Sequence, residues 1–367
     1  MSTLVIILAE TREYQLTFDN IKKNLIDTLN ADLCLCIGVK DNYNYDNPFY
    51  KLAKYHFLYN EKSEDFSDAF DEAFNEINHT EYEKLIDINT LYAKCNKENP
   101  NIKYLGQFEE NKINLDSFNE DEIVYHTKDF SDISWQKKLF TIKNSCNNNF
   151  IKENNVVTYK KPLHWRNFLK IRNQFMGGIK DPKYEHEGSA GILIFFRWFL
   201  LKKLKENNLI NKYDRFVITR SDFLFRMPHP ELILLKKNYI WIPDGEKYGG
   251  YTDRHVVLCQ NTIENYLNIF ESMVKKSNTY YMKMKKHDQW NLEQLIKFHL
   301  EENKCNVKLF PYIMYSVRSK NGTTRWSKGD FNPKLNYYIK YMTEYNISLN
   351  NYNLRKNYCN YYSDLNF

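Results

Sequence analysis

A chain of 367 residues with 43% hydrophobic content can bury a sizeable core, and its length admits either two domains or one α/β domain carrying insertions. The 52 basic and 46 acidic residues leave a formal charge of +6, which favours anionic ligands such as nucleotides. With no basic block and no RRM, KH or zinc-knuckle signature, a nucleic-acid partner is not expected. The seven cysteines, at positions 34, 36, 95, 146, 259, 305 and 359, form neither a CxxC pair nor a zinc spacing, so a reduced compartment is expected.

Residues 3–9, TLVIILA, read as a buried strand ending near Ala9, too short and without the basic flank of a signal peptide. A cytoplasmic location is therefore expected. Glu10, Thr11 and Arg12 form the exit loop. Phe18, Ile21, Leu25 and Leu29 then recur at helical spacing, predicting an amphipathic helix over 18–29. The segment ADLCLCIGV returns to strand and completes a right-handed βαβ opening, with Cys34 and Cys36 on one face as core.

From about Lys40 to Asn155 the composition turns polar, which marks a variable insertion. Inside it, Phe66, Phe70, Ala73, Phe74 and Ile77 predict an amphipathic helix within 64–78, and IVYHT at 123–127 predicts a short strand. This stretch reads as a lid, an acceptor-binding region or variable surface. Residues 163–180, LHWRNFLKIRNQFMGGIK, are aromatic and basic, leaving Arg166 and Arg172 free for phosphate.

A helix follows over 188–208, with Ser189 as N-cap and Lys202, Lys203 and Lys205 at its negative end; it is too short and too charged to span a membrane. Glu185, His186 and Glu187 precede it as cap or ligand residues. Asp214 to Thr219 is a buried strand that runs into the polar knot Thr219-Arg220-Ser221-Asp222. In an open α/β sheet, ligands sit in the crevice at the carboxyl ends of strands, so this knot is a candidate site. Its alternative is a surface turn closed by an Arg–Asp pair.

Tyr239 to Pro243 is another short strand, and the loop after it carries Gly245, Gly249 and Gly250, where the backbone must turn tightly or approach something closely. Thr252, Asp253, Arg254 and His255 put an acid, a base and an imidazole beside that loop, a set suited to general acid–base work or to a solvated hairpin. Helices are predicted over 261–276 and over 292–302, the latter capped by Asn291 with Glu293 in its first turn. Residues 307–322 read as one further strand with Arg318 and Lys320 at its tail, and the final 45 residues, rich in Tyr and Asn, as a loosely docked extension over 323–367.

The order of YDRFVITRSDFLF, IWIPDGEKYGGYTDRHVVL and WNLEQLIKFHL, together with the opening TFDNIKKNLIDTLNADLCLCIGV at 17–39, resembles GT-A-type nucleotide-sugar glycosyltransferases of large DNA viruses, algae and bacterial capsule loci. The matching segments cover the opening 40 residues and 165–320. The resemblance implies a GT-A-like, Rossmann-type three-layer α/β sandwich with a mostly parallel central sheet over 1–322. It also implies transfer of a sugar from a nucleotide-sugar donor to a glycan or glycoprotein acceptor.

On this reading Thr11, Arg12, Ser189, Arg220, Ser221 and Arg318 bind the donor, while Gly249, Gly250, His255 and Glu293 face the acceptor. Asp222 and Asp253 are the catalytic candidates, Asp253 as base and Asp222 on sugar hydroxyls or a metal. Many enzymes of this fold hold Mg²⁺ or Mn²⁺ through Asp-x-Asp at the strand exit, but here Arg220 stands where the first acid would be. One carboxylate can still anchor a cation that takes its other oxygens from phosphate and water. Alternatively, Arg220 supplies the positive charge itself. A sugar-1-phosphate nucleotidyltransferase is the first competing class, although LAETREY lacks the glycine-rich loop it requires. A non-catalytic glycan- or nucleic-acid-binding protein is the second.

Overall fold

The computed structural model describes residues 2–40, 46–61, 66, 68–77, 190–284, 286, 290–322 and 327–357, with the backbone of three short strands at 123–126, 150–153 and 156–159. The chain forms two compact units: residues 1–69, 173–270 and 288–367 make the first, and 70–172 with 271–287 the second. In the second unit Ile123–His126 (β4), Phe150–Glu153 (β5) and Val156–Tyr159 (β6) form an antiparallel sheet of order β4-β6-β5.

The first unit is a mixed α/β structure around a seven-stranded, mostly parallel sheet. Its strands are Thr3–Ala9 (β1), Asp32–Val39 (β2), Tyr55–Asn60 (β3), Arg215–Thr219 (β7), Ile240–Asp244 (β9), Val256–Cys259 (β10) and Val307–Pro311 (β11). Their order is β11-β9-β10-β7-β1-β2-β3; β10 alone runs antiparallel to both of its neighbours. Every residue of β1 and β7 is buried, as continuous apolar runs covered on both faces must be.

The two faces are legible in β1 and β2. Val5, Ile7, Leu33, Leu35 and Ile37 join one core with Ile21, Leu25 and Ile26, from the helix Tyr14–Ile21 and the π-helical turn Lys22–Asp27 that extends it. On the opposite face Cys36 directs its thiol at the Phe196 carbonyl of the helix Ala190–Glu206. That helix is buried almost all round, as its run ILIFFRWFLL requires. Cys34, Cys36 and Cys259 are free and buried.

A second, antiparallel sheet leans on the first. It comprises Phe223–Phe225 (β8), Met314–Arg318 (β12), Asp330–Asn332 (β13) and Tyr337–Ile339 (β14) in the order β13-β14-β12-β8. The segment expected to be a single strand is thus two: β11 closes the large sheet, the chain bends at Tyr312 and Ile313, and β12 enters the small one. Nor are the carboxyl-terminal residues a loosely docked tail through 357. Residues 330–339 supply two strands, and the helix Met342–Asn357 packs on β12 with Glu344 and Ser348 fully buried.

The remaining helices follow the apolar spacing with shifted ends. The helix expected over 18–29 begins at Tyr14, and that expected over 261–276 is two, Gln260–Leu267 and Ile269–Lys275. Phe66 precedes the helical residues 68–77 with a positive φ of 56° and stacks against Tyr59. The stretch 163–180 and residues Glu185 to Ser189 lie outside the described residues. No helix among the described residues is long and apolar enough to cross a membrane.

Candidate functional site

From β1 the chain passes to β2 on one side, while β7 pairs with β1 on the other. The carboxyl ends of β1 and β7 therefore border a topological switch point, where open α/β sheets leave a crevice. A small cleft, partly open to solvent, lies there, lined by Ala9, Glu10, Arg12, Ile192, Leu193, Arg220, Ser221 and Asp222. Ala9 turns into it with φ 74°, a left-handed conformation that an alanine adopts only under constraint.

Asp222 organises this end of the sheet. It is 1% exposed, and its carboxylate accepts from Arg220 Nε at 2.9 Å and Nη2 at 2.7 Å, while Arg318 Nη1 bonds the same Oδ2. Burial alone would raise this carboxyl; Arg220 and Arg318 together hold it well below the usual range. Arg318 is fully buried, and its Nε and Nη2 have no hydrogen-bond partner. Two unsatisfied buried donors are costly, and an anion oxygen or water would satisfy them. Arg220 reaches the cleft with an 18% exposed side chain, and Arg12, paired with Glu10, with 25%.

Ser221 lines the cleft but spends its hydroxyl on the carbonyls of Glu10 and Arg12, both at 3.0 Å. It braces the β1 exit loop against the β7 exit. Thr17 adds a second brace, donating to the Ser221 carbonyl at 2.6 Å. Thr11 turns away to accept from Asn47 Nδ2 at 2.9 Å. Ser189 lies outside the described residues.

A second polar cluster gathers around Arg254, whose side chain is 5% exposed. It pairs with Glu344, and its Nε lies 3.6 Å from Asp253 Oδ1, its Nη2 3.9 Å from Glu293 Oε1, and its guanidinium 4.2 Å from the Tyr341 ring centre. Arg197 donates to the Asp253 carbonyl at 2.9 Å, fixing that loop from the helix Ala190–Glu206. Burial first, and then the charge of Asp253, push the Glu293 carboxyl up to about 7. Asp253 also acts electrostatically on Arg220, so the two clusters adjoin.

Three expected acceptor residues have a structural explanation instead. A Cβ on Gly250 would stand 1.9 Å from the Glu293 carbonyl oxygen, and one on Gly249, at φ 82°, would meet Gln294 Nε2 at 2.9 Å. The glycines admit the start of the helix Leu292–Glu302, where Asn291 caps Gln294 N and donates to the Tyr248 carbonyl; the space is not free for a sugar ring. His255 is buried in the core, 3.0 Å from Thr219 Oγ1 and 3.2 Å from His229 Nε2. Burial depresses both imidazoles, that of His229 to about 4. Because His229 Nδ1 donates to the Pro230 carbonyl, its Nε2 accepts from His255, whose Nδ1 accepts from Thr219. The pair is a neutral structural relay.

Two residues the sequence reading omitted complete the site. Lys340, just after β14, lies in the field of Arg220, Arg318 and Arg12. Glu344 neutralises Arg254 from the carboxyl-terminal helix.

Among the described residues no group of three or more His, Cys, Asp and Glu is placed to hold a metal ion. Asp222 itself offers a poor anchor, since both its oxygens are engaged by guanidiniums. No model of a known protein family matches the chain, and no curated protein matches its sequence. Fold and site together define a Rossmann-like α/β protein with a cationic cleft at the switch point of its sheet.

Proposed function

We propose that this protein is a GT-A-type glycosyltransferase, moving a sugar from a nucleotide-sugar donor to a hydroxyl of a glycan or glycoprotein. The observation that carries the reading is the pair Arg12 and Arg220 on the switch-point cleft, backed by buried Asp222 and Arg318. As the bond between the sugar carbon and the diphosphate breaks, negative charge grows on the departing phosphate oxygen. Guanidiniums fixed in advance stabilise that charge without reorganising. Asp222 fixes Arg220 through two parallel bonds, so the arginine is oriented before the ligand arrives.

Asp253 is the base that takes the proton from the attacking hydroxyl, with its backbone held by Arg197. Glu293, its carboxyl pushed up to about 7 by burial and the charge of Asp253, gives the site a second carboxyl that can exchange a proton near neutrality. The residues present do not fit a Mg²⁺ or Mn²⁺ held by Asp222, so the reading assigns the cation's role to arginine. The free, buried cysteines suit a reducing, cytoplasmic setting.

The test is incubation with a panel of nucleotide sugars and simple saccharide acceptors, following nucleoside diphosphate release. Acceptor-dependent release supports the transferase. Pyrophosphate exchange without it would make the protein a nucleotidyltransferase, and binding without turnover would make it a glycan-binding module.

A further inference from the structure

Lys340 is placed by the ladder that carries Arg318. Arg318 pairs with Tyr338 across β12 and β14, and Lys340 N donates to the Ser316 carbonyl at 3.0 Å. With side chains alternating along an antiparallel pair, Ser316, Arg318, Tyr338 and Lys340 share one face. That face meets the β1 and β7 exits, because Arg318 bonds Asp222 there.

We propose that Lys340, on the same face of the ladder as Arg318, is a further ligand of the donor's diphosphate. The inference rests on the glycosyltransferase reading above. Its first support is a charge count. Glu10 offsets Arg12, and Asp222 offsets one of the two arginines it holds, leaving one net positive charge for a diphosphate diester that carries two negative ones. A protonated Lys340 supplies the second.

Its second support is the surroundings of the amine. Lys340 is half-buried, with Nζ 5.3 Å from the Tyr341 ring centre. The charged groups acting on it from neighbouring elements are Arg12 from the β1 exit, Arg220 and Asp222 from the β7 exit, and Arg318 from β12. Burial first, then Arg220 and Arg318, lower its amine to about 7; Asp222 opposes them, but its carboxylate is already spent on the two arginines. A bound dianion reverses the balance and draws a proton from solvent. No covalent step is involved.

The experiment is calorimetric titration of the full chain with UDP-glucose and, separately, GDP-mannose, whose diphosphate diesters have no titrating proton near neutrality. Titrations at pH 8 in buffers of different ionisation enthalpy count the protons taken up. The wild type should take up roughly nine-tenths of a proton for a free amine near pH 7, and its affinity should fall about tenfold per unit above that pH. Lys340→Arg should bind with no uptake and a flat pH profile, since arginine stays charged. Lys340→Met should also lose the uptake, binding at least tenfold more weakly at pH 6 and converging on the wild type at high pH. Equal uptake in wild type and variants would overturn the role of Lys340 while leaving the anion site standing. Failure of the wild type to bind either probe would overturn both this inference and the transferase reading.

Discussion

Replacing Asp222 with Asn tests the electrostatic design of the cleft at its centre. From the sequence alone, this carboxylate reads as a ligand whose loss should spare the fold; its position in the structure reverses that expectation. Asp222 is 1% exposed and compensates two guanidiniums, one of them fully buried. Removing one partner from a buried ion pair typically costs ~3–5 kcal/mol, because the charge left behind cannot return to water. The Asn carbonyl can still accept one bond, while its amide faces cations, so a loss near the middle of that range is expected. Urea titration of wild type and variant, compared through their midpoints, measures the difference. A charge-balanced double variant, Asp222→Asn with Arg318→Met, should recover part of it. The carboxyl is depressed in the folded protein, so its contribution is present above the unfolded value of about 3.9 and fades as pH falls toward the folded one. A loss below ~1 kcal/mol at neutral pH, or one that does not shrink in acid, would refute the assignment.

Glu293 has the opposite sign. Its folded carboxyl is raised from 4.5 to about 7, so its contribution is fully present below the unfolded value and is lost as pH rises through 7. Glu293→Gln should therefore match the wild type at pH 4 and exceed its stability at pH 8 by about 3 kcal/mol; parallel stability–pH curves would contradict this. Asp253→Asn should keep donor affinity while lowering turnover about 10²–10⁴-fold, and loss of donor binding in calorimetry would move this residue out of the base role. Gly250→Ala must displace the start of the helix Leu292–Glu302, at a cost of about 1–3 kcal/mol in denaturant titrations; an unperturbed variant would show that the loop is free of that helix.

The large sheet was readable because its strands are short apolar runs between polar exits, and β1, β2, β7 and β9 fall where that pattern puts them. The break between β11 and β12 was not, since VKLFPYIMYSVR runs without a charged residue from Leu309 to Tyr315 and nothing in its periodicity marks a change of sheet at Tyr312. Arg12, Arg220 and Asp222 were legible as polar residues at strand exits, and the structure brings them onto one cleft. The carboxyl-terminal contribution was hidden for a different reason. Arg254 and Glu344 are 90 positions apart, and Tyr- and Asn-rich composition resembles a tail until Ile339 and Glu344 are seen buried. Gly249 and Gly250 announced a close approach without naming what approaches; the partner is the protein's own helix. His255 carried the right chemistry for catalysis at a position where the chain has already re-entered the core.

The proposed transfer depends on arginine holding a nucleotide-sugar diphosphate at the β1–β7 crevice. Its most direct test is calorimetric titration of the wild type and of Arg220→Met with a turned-over nucleotide sugar in the presence of EDTA. Arg318 still compensates Asp222 in that variant, so the fold should persist. The expected result is wild-type binding undiminished by EDTA and a loss of about 30-fold or more in the variant, the scale of removing one charged partner worth 2 kcal/mol or more. Equal affinity in both proteins, or binding that returns only with Mn²⁺, would contradict it.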